Sequence, residues 1–133
     1  MSDSKQKVTG IGGIFFKSKN PKELSKWYAE NLGVPMDKDG YVVFQWKDGQ
    51  EPDKPGSTVW APFDDDTDYF NPSKARHMIN YRVVDLDAML EQLRAAGVEV
   101  DEKVEDMEGF GRFGWAMDPE GNKFELWEPP AGM

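Results

Sequence analysis

The sequence predicts an α+β fold made of two copies of one unit, each a strand, a helix and three further strands. Three observations carry this. Two stretches bearing helix start and stop signals, Asn20 to Gly33 and Asp85 to Gly97, stand in equivalent places of the two halves, which marks an internal repeat. Around them, short runs alternate apolar and polar residues at the two-residue period of strands. Neither half offers a second helix, so each sheet has one covered face and one that must meet water, a ligand or a second copy. The modules run from 8 to 65 and from 76 to 130 within one domain, 1–133.

In chain order, Val8 to Lys17 reads as the first strand, rich in Ile11, Ile14, Phe15 and Phe16. Its glycines fail the G-x-G-x-x-G spacing of a dinucleotide loop, because position 15 is Phe and no strand precedes it. They suit a bulge or a close backbone approach instead. Asn20-Pro21-Lys22-Glu23 opens a helix, with Asn as N-cap and Pro at the first position. Leu24, Trp27, Tyr28 and Leu32 make its apolar stripe, which places Trp27 and Tyr28 in the core. Short strands follow from Val34, including Tyr41 to Trp46 and Ser57 to Pro62.

The run Asp64-Asp65-Asp66-Thr67-Asp68 invites a calcium reading. An EF-hand loop would need Gly where Tyr69 stands and Glu where Ala75 stands, so the match fails. A solvated loop is the expectation, with Tyr69 and Phe70 as a lid or a dimer contact. Arg76 to Val84 is the next strand, and Asp85 caps a helix carrying Leu86, Met89, Leu90 and Leu93. Val98 to Val100 and Phe110 to Met117 supply two more strands before the closing turn.

Composition narrows the function. The 133 residues carry a formal net charge of −9, which argues against nucleic acid and favours a neutral or cationic ligand. No run is long and apolar enough for a membrane span. The polar N-terminus lacks a signal-peptide core, so a cytoplasmic protein is expected. With no cysteine, neither a disulfide framework nor a thiolate-held metal is available.

The last strand carries the most specific signal. Asp118-Pro119-Glu120-Gly121-Asn122 is a turn, and Phe124 and Leu126 then alternate with Lys123, Glu125 and Trp127. This turn followed by Glu-Leu-Trp-Glu-Pro resembles the closing motif of the vicinal oxygen chelate superfamily. Its members include glyoxalase I, extradiol dioxygenases and bleomycin-resistance proteins. The resemblance spans Val8 to Pro130 and implies two half-barrels forming a cupped mixed sheet, the glyoxalase-like fold.

In metal-dependent members of that superfamily four inward residues hold an ion. The resemblance puts these positions on Gly13, Thr58, Met78 and Glu125, of which only Glu125 is a usual ligand. Bringing in His77 would need a one-residue slip, which sends a side chain to the other face. No metal and no other cofactor is therefore expected. Strand parity from those positions sets Phe15, Lys17, Thr58, Trp60, Met78, Asn80, Arg82, Lys123, Glu125 and Trp127 inward, and Trp115 joins the candidate ligand-binding set from a neighbouring strand. Arg82 is the expected partner of Glu125, with Lys123 second.

Two functions follow from the resemblance. One is metal-free binding or sequestration of a small cationic or aromatic molecule, as in bleomycin-resistance proteins. The other is a glyoxalase-like lyase, isomerase or dioxygenase acting on a small oxygenated substrate. A homodimer is expected in either case, since each half-sheet leaves a face uncovered.

Overall fold

A computed structural model describes residues 5–37, 40–47, 55–131 and 133. The described residues form one seven-stranded mixed sheet with a helix behind each half. The elements are β1 (Gly10–Ser18), α1 (Pro21–Leu32), β2 (Val42–Lys47), β3 (Pro55–Asp64), β4 (His77–Arg82), α2 (Leu86–Ala95), β5 (Glu105–Met107), β6 (Gly111–Met117) and β7 (Lys123–Glu128). Their order across the sheet is β2-β3-β1-β4-β7-β6-β5. The two modules thus meet edge to edge at the antiparallel β1·β4 pair, and the sheet curls without closing.

The modules are related by their pairing. In the first, β1 runs parallel to β3 with Gly13 opposite Val59; in the second, β4 runs parallel to β7 with Asn80 opposite Glu125. Gly13 also faces Asn80 across the junction. One row of the sheet therefore reads Val59, Gly13, Asn80, Glu125. Three strands after the helix are realised in the second module, whereas the first has two among the described residues: 34–37 do not join the sheet, and 38–39 lie outside the description. The strand expected at Val98 to Val100 shrinks to a single bridge between Val100 and Ala116.

Both helices start as their sequences dictate. Asn20 Oδ1 accepts from the Glu23 backbone N–H, and Asp85 Oδ1 accepts from that of Ala88. The first backbone N–H of α2 is met by Glu128 Oε1 at 2.8 Å, so the end of β7 helps to hold that helix in place. Leu86, Met89 and Leu90 of α2 pack on Val83 and Leu126 to form the outer core.

α1 is less well covered than its stripe suggests. Trp27 is 53 % exposed and Leu32 65 % exposed. Ser25 and Tyr28 face the sheet instead, with Tyr28 edge-on to Trp60 at 5.1 Å. The expectation of a core Trp27 fails because the sheet-facing row is set by Pro21, Ser25 and Tyr28, and position 27 stands nearly a third of a turn away.

Candidate functional site

The concave face carries a cavity of about 270 Å³ with Glu125 at its floor. Period-two alternation aims Glu125 and Trp127 of β7 into it, and Phe124 and Leu126 outward to α2. Glu125 is 1 % exposed and fully provided with donors. Asn80 Nδ2 donates to Oε1 at 2.6 Å, Trp115 Nε1 donates to Oε2 at 2.8 Å, and the Tyr69 hydroxyl donates to Oε2 in a short contact. Burial pushes the carboxyl above its ordinary range, and these three hydrogen bonds pull against that rise. The Tyr69 phenol is pushed up too, first by burial and then by the neighbouring carboxylate.

Aromatic rings make the walls. Phe63 and Tyr69 stack at 5.5 Å with an interplanar angle of 6°, and Phe113 and Trp127 stack at 6.0 Å at the same angle. Phe15, Met78, Trp115 and Phe70 pack together behind Tyr69. The segment joining the modules, which carries Tyr69 and Phe70, thereby closes one side of the cup within the chain. Tyr69 and Phe70 therefore stand as part of the cup wall within the chain. Lys123 Nζ donates to the Tyr69 backbone oxygen at 2.7 Å and lies over the Tyr69 and Trp115 rings. Burial lowers its pKa.

The structure brings Phe15, Met78, Asn80, Arg82, Glu125 and Trp127 to the concave face, as strand parity predicted, and Trp115 joins them opposite Glu125 on β6. Thr58 and Trp60 are not there. On β3 it is Val59, Ala61 and Phe63 that line the cavity, while Trp60 packs against Phe16 and Tyr28 under α1. The Thr58 hydroxyl accepts from Trp46 Nε1 and donates to the Ile11 backbone oxygen. Trp60-x-Pro62 has the pattern of Trp127-x-Pro129 but not its register. The pairing shows that Val59, not Thr58, answers Glu125, a slip of one residue and hence of one face.

A second correction concerns partners: Glu125 is held by Tyr69, Asn80 and Trp115 and not by Arg82 or Lys123. Val59, Ala61, Phe63 and Phe113 line the cavity without having been expected there, and Tyr69, expected as a lid or dimer contact, was not expected to bond Glu125. Phe113 could have been found from its register opposite Trp127 on the β6·β7 hairpin. The bond from Tyr69 could not, because a loop has no parity.

A metal ion, which the superfamily pattern implies, does not fit these residues. The row that would hold it is Val59, Gly13, Asn80 and Glu125, with His77 exposed on the outer face. Three N–H and O–H hydrogens already point at the one carboxylate, so a cation would have to displace them. Among the described residues no group of three or more His, Cys, Asp or Glu is placed to hold a metal.

Two strand-helix modules paired edge to edge, with a buried glutamate at the end of the shared strand row, define a cupped domain of the vicinal oxygen chelate type. The chain belongs to the glyoxalase-like domain family, whose model matches residues 13–127. No curated protein sequence matches it significantly. Among solved structures it is similar to methylmalonyl-CoA epimerase from Mycobacterium tuberculosis, with a TM-score of 0.59 and 20 % identity, covering 97 % of this chain and 93 % of that one. A Streptomyces coelicolor methylmalonyl-CoA epimerase variant in complex with 2-nitronate-propionyl-CoA gives a TM-score of 0.68 at 16 % identity, covering 94 % and 100 %. The NAD-dependent benzaldehyde dehydrogenase from Legionella pneumophila gives 0.57 at 13 %, covering 89 % and 98 %. At these identities the likeness is one of fold. Among the described residues no helix is long and apolar enough to cross a membrane.

Proposed function

We propose that this protein binds a small flat molecule in its aromatic cup without a metal ion, as a binding or sequestering member of its family. The observation that supports this is the carboxylate engaged by three donors. With Tyr69, Asn80 and Trp115 fixed on it, Glu125 organises the cup floor, and a metal ion would have to displace those hydrogens. That engagement weighs against a metal-dependent lyase, isomerase or dioxygenase reading.

Of the two expected ligand classes, aromatic fits better than cationic. The cup walls are Phe63, Tyr69, Phe113 and Trp127, and two cations, Arg82 and Lys123, stand on the same face. A cavity of about 150 Å³ suffices for benzene, so one of about 270 Å³ takes a single ring with substituents or two fused rings. Native mass spectrometry of the purified protein, with elemental analysis, should show an organic ligand or free sites and no stoichiometric metal. Filling the cup by Ala61→Phe should weaken ring binding at least tenfold, about 1.4 kcal/mol, with the fold intact. Binding or turnover that appears only on adding a divalent transition metal would overturn the reading.

The proposal includes a homodimer. Outside the sheet, a groove of about 560 Å³ runs along α2, lined by Val8, Ile79, Tyr81, Leu93 and Phe124, and Val8 and Ile79 are exposed at 46 % and 36 %. A second copy covering this face would remove apolar surface from water. Sedimentation should give a dimer at micromolar concentration; a monomer at high micromolar concentration would refute it.

A further inference from the structure

Arg82 is buried on the cup face, only 7 % exposed, yet among the described residues no carboxylate pairs with it. Arg112 pairs with Asp87 and Asp106, and Arg76 with Asp65, while Arg94, which bonds the Asp101 backbone oxygen, is exposed to water. In a chain with 25 acidic and 16 basic residues, a covered cation left to neutral partners needs an explanation.

Its path across the sheet is built for it. The side chain leaves β4 and crosses β1 over glycines: a Cβ at Gly12 would stand 3.0 Å from Arg82 Cγ, and one at Gly10 would stand 3.9 Å from Cδ. Beyond β1, Nη1 donates to the Ser57 backbone oxygen at 3.4 Å and to Ser57 Oγ at 3.3 Å. Both are long for charge-assisted bonds. Trp46 and Trp127 flank the guanidinium, with ring centroids 5.5 and 5.1 Å from Cζ. Among the described residues Nε and Nη2 have no hydrogen-bond partner. Burial lowers the pKa of this group, and among the described residues no neighbouring carboxylate raises it.

The geometry points to an anion subsite: Arg82 binds the carboxylate of a small planar ligand whose ring lies in the cup. Trp127 and Gly12 both line the cavity and touch Arg82, so the subsite and the cup are continuous. The free edge of the guanidinium, Nε with Nη2, presents two parallel donors at the spacing of two carboxylate oxygens. The flanking indoles hold that edge in one orientation, so it meets a planar carboxylate already aligned. This inference rests on the cup as the ring-binding site.

Benzoate, benzamide and acetate separate the two ideas. Two-dimensional NMR of the indole N–H signals of Trp46, Trp115 and Trp127 reports on the subsite and the cup floor together. Benzoate should bind at least about tenfold tighter than benzamide, which has the same shape without the charge. Arg82→Gln should bring that ratio close to one, and Arg82→Lys should fall between, keeping the charge and losing the fork. Equal binding of benzamide and benzoate by the unaltered protein would overturn the subsite and leave the cup standing. Acetate binding as tightly as benzoate, with shifts confined to Trp46 and Trp127, would keep the subsite and refute the cup. No response to either carboxylate at Trp46 and Trp127 would end the proposal whatever the variants do.

Discussion

Replacing Glu125 by leucine should destabilise the protein by about 4 kcal/mol, one of the two largest effects expected at this site. Leucine is apolar and one bond shorter, and it leaves the Tyr69 hydroxyl, Asn80 Nδ2 and Trp115 Nε1 with no acceptor. An unmet buried donor costs about 1–3 kcal/mol, and the three losses are not additive. Glu125→Gln keeps one oxygen and should lose about 2 kcal/mol. The two variants also differ in what pH reveals. Because burial raises the folded-state pKa of Glu125 above its ordinary 4.5, the folded protein holds that proton more tightly than the unfolded chain. The resulting stability is complete below pH 4.5 and is lost as pH rises through the folded-state value. The stability difference between the native protein and Glu125→Gln should therefore shrink as pH rises above 4.5. Asp87 and Asp118, whose pKa values are lowered by hydrogen bonds from Arg112 and Asn122, act in the opposite sense and only below 3.8. Urea unfolding at several pH values measures this directly. A pH-independent difference would mean that the three hydrogen bonds fully offset burial.

The fold could be read from the sequence because its signals are local. Asn20-Pro21 and Asp85 mark helix starts by side chains that cap within three residues, and Asp118 closes the last turn on the Glu120 and Asn122 backbone amides. The final strand also disclosed its own faces, since Phe124 and Leu126 could only be the outer row. What failed needed contacts between strands. The face of Thr58 and Trp60 depends on the parallel register of β3 with β1, and nothing within β3 distinguishes Trp60 under α1 from Trp60 in the cup. The glycines of β1 suit a bulge or close approach, and the register shift between Ile11 and Gly13 is such a feature. The residue they make room for, Arg82, lies 70 positions from Gly12 and could not be named from sequence. The bond of Tyr69 to Glu125 was hidden for the same reason: it is made from a loop, 56 residues away.

The other large effect should come from Trp127, which joins the cup wall to the Arg82 shelf. The indole is 3 % exposed, stacks on Phe113, covers the Arg82 guanidinium, and donates from Nε1 to the Phe110 backbone oxygen at 2.6 Å. Trp127→Ala removes all of these and leaves a void beside a buried cation, so a loss of about 3–5 kcal/mol is expected. Trp127→Phe keeps a flat ring against Phe113 and forfeits mainly the hydrogen bond, for which about 1 kcal/mol is the expected loss. The Phe110 oxygen lies near the protein surface, where water can replace the indole. Denaturant unfolding of both variants tests the split. A loss below about 1 kcal/mol for Trp127→Ala would show that the ring rests on the sheet without packing it. Equal losses for the two variants would shift the weight from the stack to the indole N–H, and the cup would then be held at that end by Phe110 and the β6 hairpin instead of by its aromatic wall.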